Sequence, residues 1–294
     1  MKAALLPDRG VVKVAGDGAR NFLHGLVTAD MLKLAPGAAR FCALLTPQGK
    51  IIADFIVAEA PAGGGFFLDT PRMLAGPLVE KLNLYKLRAK VIIEDLSETL
   101  GVLAAWNGGG VTKYGLCYAD PRLPALGLRL MIPPHLAAAA AAELGADLVP
   151  TSDYDAHRIA LGVPQGGVDF SYGDAFPHET DMDQLGGVDF AKGCYVGQEV
   201  VSRMEHRGTA RTRAVPIRYD GATPEAGAAI TAAERQVGTM GSAAGGRGVA
   251  LLRLDRVAEA IAQGGSLTAG GVAIRLVKPD WVRFAFPGDA EAAE

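Results

Sequence analysis

Lys192-Gly193-Cys194-Tyr195-Val196-Gly197-Gln198-Glu199 is the stretch that decides how this chain is read. It gathers a cation, a thiol, a phenol, an amide and a carboxylate, punctuated by two glycines. Gly193 frees the backbone just before a helix expected over Cys194 to Met204. On that helix Glu199 and Arg203 stand four apart on one face and can pair. Cys194 then falls at the helix's positive end, two residues past Lys192, where dipole and cation both favour thiolate over thiol. A free cysteine more often serves packing. That reading suits Cys42, in an apolar strand-like run, and Cys117, between apolar neighbours. At Cys194 the flanking groups favour a reactive thiol, with Tyr195 and Gln198 placed to wall and hydrogen-bond a neighbouring ligand.

Upstream, Phe176-Pro177-His178-Glu179-Thr180-Asp181-Met182-Asp183 sets three carboxylates and a histidine in a turn-rich loop. A carboxylate held in a cleft can accept two N–H donors from a pterin or purine edge, and Glu179 is the candidate. Asp181 and Asp183 read as solvated acids, one capping a short helix. His178 and His206 flank the region and carry the ordinary packing or surface reading of a lone histidine. No metal-ligand spacing is found, and Ser202 lacks a Gly-x-Ser-x-Gly elbow. Arg203, Arg207, Arg211 and Arg213 form the densest basic stretch, read as a solvated connection in preference to a small anionic site.

The chain before this region mixes strands and helices. Gly10 to Ala15, Phe41 to Leu45, Ile51 to Ala58, Gly65 to Asp69 and Val91 to Glu94 read as strands, and Thr46-Pro47-Gln48-Gly49-Lys50 has hairpin chemistry. Asp17 opens a helix carrying Phe22, Leu23, Leu26 and Val27 on one face, and Leu78, Leu82 and Tyr85 mark another, kinked or begun at Pro77. Val102 to Trp106 and Leu126 to Ile132 return to strand. Helices follow over Ala137 to Leu144, closed by Gly145, and from Ser152 to about Gly162. Past Arg211 short apolar runs alternate with Gly, Pro and Thr, the texture of a small antiparallel barrel. Gly245-Gly246-Arg247-Gly248 precedes a strand, so it reads as a hairpin turn and not a phosphate loop.

The chain of 294 residues is too long for one typical core. Its 49% hydrophobic and 21% charged residues fit a globular protein, and a net charge of −3 with no basic stripe argues against nucleic-acid binding. Three widely spaced cysteines imply neither a disulfide framework nor a zinc site. Reduced cysteines, with no apolar segment of signal-peptide or membrane-spanning length, lead to the expectation of a cytoplasmic protein without membrane partners.

The Lys192–Glu199 run is similar to the signature of the YgfZ-type folate-binding proteins, relatives of the glycine-cleavage T-protein, an aminomethyltransferase. Leu185-Gly186-Gly187-Val188-Asp189-Phe190 before it, and Arg203, Arg207 and Gly208 after it, agree. So do Phe22-Leu23-His24-Gly25-Leu26, Thr28-Ala29-Asp30, and Leu44 to Ile51 followed by Asp54. The resemblance covers nearly the whole chain and is weakest between about residues 97 and 150. It implies an α+β fold in which ferredoxin-like units and a C-terminal antiparallel β-barrel surround a central folate-sized hole; the change of texture near residue 210 places these over 1–210 and 211–286, and the terminal residues 287–294 read as a disordered tail.

It also implies a tetrahydrofolate- or other reduced-folate-binding accessory protein that supports iron–sulfur cluster assembly or repair, with a link to tRNA-modifying iron–sulfur enzymes. Its partners are then folate and iron–sulfur assembly or client proteins. Cys194 and Lys192 become the working pair, and Glu179, Tyr195, Gln198 and Arg203 the folate contacts. The alternative is a folate-dependent aminomethyl or one-carbon transferase. T-proteins, however, carry a catalytic carboxylate on the helix after an Asn-containing turn. Here the matching stretch, Phe67 to Gly76, lacks the Asn, no carboxylate follows until Glu80, and Asp69 lies on the strand side.

Overall fold

The computed structural model describes residues 1–208 and 210–288. They fall into two compact units, one of Met1–Tyr154 with Leu185–Glu199, the other of Asp155–Gln184 with the chain from Val200 on. The expected tail over 287–294 lies mostly outside the described residues.

In the first unit the chain runs β1 (Lys2–Leu6), β2 (Arg9–Ala15), α1 (Ala19–His24), β3 (Ala39–Leu45), β4 (Ile51–Glu59), β5 (Phe66–Pro71), α2 (Arg72–Lys86), β6 (Ile92–Asp95), β7 (Gly101–Trp106), β8 (Leu116–Ala119), β9 (Leu128–Ile132), α3 (Ala137–Glu143) and β10 (Asp147–Leu148). Two five-stranded sheets result, in the orders β3-β4-β5-β2-β6 and β10-β1-β7-β9-β8. Every residue of β7 is buried, as its apolar run requires of a central strand covered on both faces. α2 turns Ala75, Leu78 and Leu82 inward at helical spacing onto a core of Val12, Leu23, Phe55 and Leu68. Pro77 lies within α2 and does not begin it. Cys42 is part of the same core.

α1 is shorter than its apolar face suggested. It starts after Gly18, with no side-chain cap from Asp17, and stops at His24, so Leu26 and Val27 pack from the irregular chain beyond it. The β3–β4 hairpin closes as read, through Thr46 N–H to the Lys50 carbonyl at 2.8 Å, with Gly49 at φ 84°.

Two further helices in chain order are α4 (Thr151–Ala160) and α5 (Gln198–Arg207). The second unit holds β11 (Thr212–Tyr219), β12 (Ala229–Ala232), β13 (Arg235–Ala244), β14 (Arg247–Arg253), α6 (Leu254–Ala262), β15 (Leu267–Ala269) and β16 (Val272–Leu276). These strands close into an antiparallel barrel in the order β11-β14-β13-β12-β15-β16. Closure leaves no unpaired edge, and Val215, Ile217, Ile230, Val237 and Leu252 fill the core. Gly245 and Gly246, at φ 57° and 77°, make the β13–β14 turn expected of them. β12, β15 and α6 were not visible in the apolar pattern; the first two strands are only four and three residues long.

Candidate functional site

In the first unit the segment from Gly187 to Gly197 has almost no regular structure, yet it is stapled along its length. The Thr28 hydroxyl donates to the Gly187 carbonyl at 2.5 Å and accepts from Ala43 N–H at 2.9 Å. Asp189 N–H donates to the Thr28 carbonyl at 2.9 Å, and Asp189 Oδ2 lies 3.4 Å from Lys33 Nζ. Gly197 explains its place in the motif: at φ 82° it tucks against the β3–β4 hairpin, where a Cβ would stand 2.5 Å from the Thr46 carbonyl oxygen.

Lys192 is 6% exposed. Its ammonium donates to the carbonyls of His24 at 2.6 Å, Val27 at 2.5 Å and Ala29 at 3.0 Å. An ammonium has three protons, so all are taken. The His24 carbonyl is one that the end of α1 leaves without a helical partner. Burial pulls this ammonium down to about 8, opposed by Cys42, Asp30 and Asp189. Its Nζ lies 4.9 Å from the ring centre of Tyr195. Tyr195 is itself 7% exposed, and burial pushes its phenol up to about 12. The Tyr195 hydroxyl has no hydrogen-bond partner among the described residues.

Cys194 is exposed, while Cys42 is buried and Cys117 half-buried. The expected helix over Cys194 to Met204 is corrected: α5 begins at Gln198, four residues later. Gly197, in left-handed geometry, delays the helix start. Cys194 therefore does not occupy a helix terminus, and the dipole argument for its thiolate lapses. Gln198 opens α5, its N–H donating to the Tyr195 carbonyl at 3.3 Å, and Arg203 lies in the middle of the helix.

In the second unit Glu179 is the third residue of a one-turn 3-10 helix, Pro177–Thr180, and its carboxylate accepts the Phe176 N–H at 2.9 Å. The reading of Asp181 and Asp183 as solvated acids is corrected. Asp181 is fully buried in left-handed geometry at φ 57°, and Asp183 receives Arg213 at 2.6 and 3.0 Å. Arg213, read as part of a solvated connection, is buried and also donates to the His178 carbonyl at 2.7 Å. Burial, with the Asp183 charge adding to it, holds the Asp181 carboxyl well above the usual range; Arg213, 3.3 Å away and shared with Asp183, opposes the shift without cancelling it.

His178 Nε2 meets Glu205 Oε2 at 3.0 Å. His178, Asp183 and Glu205 bring ligand-type atoms within 4.8 Å of one another, a grouping that sequence spacing concealed. Asp183 there is already held by two bonds from Arg213. The partner arrives from β11, about thirty residues on, and no local signal announces it.

Asp69 is likewise settled. It is fully buried on β5, between Arg9 Nε at 2.6 Å and Arg129 Nε at 2.6 Å. These guanidiniums hold its carboxyl below the usual range against the cost of burial.

The comparisons with known proteins agree with this architecture. The solved structure of glycine cleavage system aminomethyltransferase T from Bartonella henselae superposes with a TM-score of 0.75 at 17% identity, covering 96% of this chain and 86% of that one. The fold is thus of the T-protein type. The model of the CAF17 C-terminal beta-barrel domain matches residues 211–284. The human mitochondrial iron–sulfur cluster assembly factor IBA57 is 30% identical over 311 residues, covering 94% of this chain and 84% of the relative. Its homolog in Mycosarcoma maydis is 34% identical over 237 residues. The chain belongs to the IBA57 family of iron–sulfur cluster assembly factors.

The match covers 57% of the length of the Mycosarcoma relative and 54% of one from Neurospora crassa. The coarser part of the resemblance, a T-protein-like chain with a C-terminal barrel, holds; the name these relatives carry is IBA57, not YgfZ. The cytoplasmic expectation is overturned, since these relatives are named as mitochondrial. Reduced cysteines suit a mitochondrial interior as well as a cytosol. No helix among the described residues is long and apolar enough to cross a membrane.

Proposed function

We propose that this chain supports iron–sulfur cluster assembly or repair, with Cys194 as its working thiol. The observation that carries the reading is the contrast between the thiol and its surroundings. Cys194 is exposed, on an irregular segment that at least four side-chain and backbone staples hold in place. A cluster takes four protein ligands, so one cysteine contributes a single thiolate and a protein partner supplies the others. On ligation the thiol proton leaves to solvent as the iron–sulfur bond forms.

Reduced folate enters as the proposed cofactor. The buried Tyr195 hydroxyl, which has no hydrogen-bond partner among the described residues, fits a polar ligand atom. Glu179, Tyr195, Gln198 and Arg203 are assigned to it residue by residue, from the resemblance; bound folate would carry or present a one-carbon unit. Aminomethyl transfer as in the T-proteins has less support, because Asp69 is consumed by Arg9 and Arg129 and residues 70–79 hold no carboxylate.

Anaerobic mixing with a [2Fe–2S]-loaded carrier protein tests the thiol. The wild type should perturb the visible circular dichroism of the cluster, and Cys194→Ser should not. Equal spectra with both would remove Cys194 from cluster handling.

A further inference from the structure

We infer that Lys192 is a positioning residue, whose ammonium latches the Cys194 segment onto the chain that follows α1. The inference rests on reading Cys194 as the working thiol, but its test does not depend on cluster chemistry.

The geometry is a complete match of donors to acceptors. Three ammonium protons meet three carbonyls, of His24, Val27 and Ala29, at 2.6, 2.5 and 3.0 Å. These carbonyls lie at and just beyond the end of α1, where a helix leaves its last carbonyls without intrahelical partners. The Lys192 side chain thereby pins a segment more than 160 residues away in sequence. Thr28, inside the same stretch, fixes the segment a second time, at Gly187 and Asp189. The two anchors bracket residues 187–192, and Cys194 follows two residues later.

A latched ammonium has no proton left to give to Cys194 or to a ligand. The charged groups facing it are Asp30 and Asp189, with the buried Cys42 thiol. Geometry is therefore the property that matters. An Arg at this position keeps the charge, but its planar fork cannot direct three donors from one point.

The test compares wild type with Lys192→Met, Lys192→Arg and Thr28→Val, each first shown by circular dichroism to be folded. Iodoacetamide alkylation of Cys194 is timed at about pH 6 and about pH 7, both below the Lys192 value, together with amide hydrogen exchange over residues 24–29 and 187–196. The latch predicts exchange faster by roughly tenfold or more in both segments for Met and Arg alike. It also predicts an alkylation rate changed by at least about threefold, with the ratio between the two pH values unaltered. Thr28→Val should move both readouts the same way, which preserves the test if the Lys192 variants do not fold. A changed pH ratio in Met that Arg restores would make Lys192 an electrostatic activator and overturn the inference. Unchanged exchange and alkylation, with only a lower unfolding midpoint, would overturn it as well.

Discussion

Arg129 on β9 reaches Asp69 on β5 at 2.6 Å, and this buried ion pair joins the two sheets of the first unit. Arg9 holds the other carboxylate oxygen, and the Tyr118 hydroxyl donates to Asp69 at 3.3 Å. Removing one partner of such a pair leaves an uncompensated buried charge, costing about 3–5 kcal/mol. Asp69→Ala should lower the urea midpoint accordingly. The folded carboxyl titrates below its unfolded value, so its contribution is complete above about pH 4 and is lost as pH falls through the folded value. A variant as stable as wild type at neutral pH would show that the pair contributes nothing.

Asp181 has the opposite sign. Its folded carboxyl titrates well above its unfolded value. Below about pH 4 both states are protonated and no cost arises; as pH rises above that, the buried group increasingly penalises the folded state. Asp181→Asn mimics the neutral form and tolerates left-handed geometry. It should stabilise the protein at pH 7, by an amount that shrinks towards pH 4. Destabilisation at pH 7 would mean that the ion pair with Arg213 outweighs burial.

Gly197→Ala places a methyl against the Thr46 carbonyl and forces an L-residue to φ 82°. The backbone term alone costs about 1–2 kcal/mol, and the clash adds to it. Thermal unfolding should register the loss, and hydrogen exchange should locate it in residues 195–200 and the β3–β4 hairpin. Unchanged protection there would show that the hairpin yields freely.

Glu179→Gln keeps an oxygen to accept the Phe176 N–H while removing the charge. If Glu179 pairs with a reduced folate, tetrahydrofolate affinity measured by calorimetry should fall by about tenfold, since charge-assisted bonds contribute about 1.5–3 kcal/mol. Equal affinities would take Glu179 out of the folate site.

The fold was legible where periodicity is strong. β2, β3, β4 and β7 read directly as apolar runs, and Gly245-Gly246 announced its hairpin. The shortest barrel strands were not, because three or four residues carry no period. α5 was misplaced because the break falls at Gly197 and not at Gly193. At the site, the motif drew attention to the right segment, but not to what holds it. Lys192 looked like a partner for its sequence neighbour Cys194, whereas its acceptors lie near residue 27. Asp181, Asp183 and His178 looked solvated or incidental because Arg213 and Glu205 reach them only after folding. Pairings across such distances leave no trace in local spacing.

Complementation in cells asks whether Cys194 is the working thiol of an iron–sulfur assembly factor. Cells lacking their own IBA57-type protein are supplied with this chain, wild type or Cys194→Ser, at matched protein levels, and the activity of an endogenous [4Fe–4S] enzyme is assayed. Wild type should restore activity and Cys194→Ser should not, while tetrahydrofolate binding by the purified variant is retained. Full restoration by Cys194→Ser would show that the thiol is dispensable for cluster assembly.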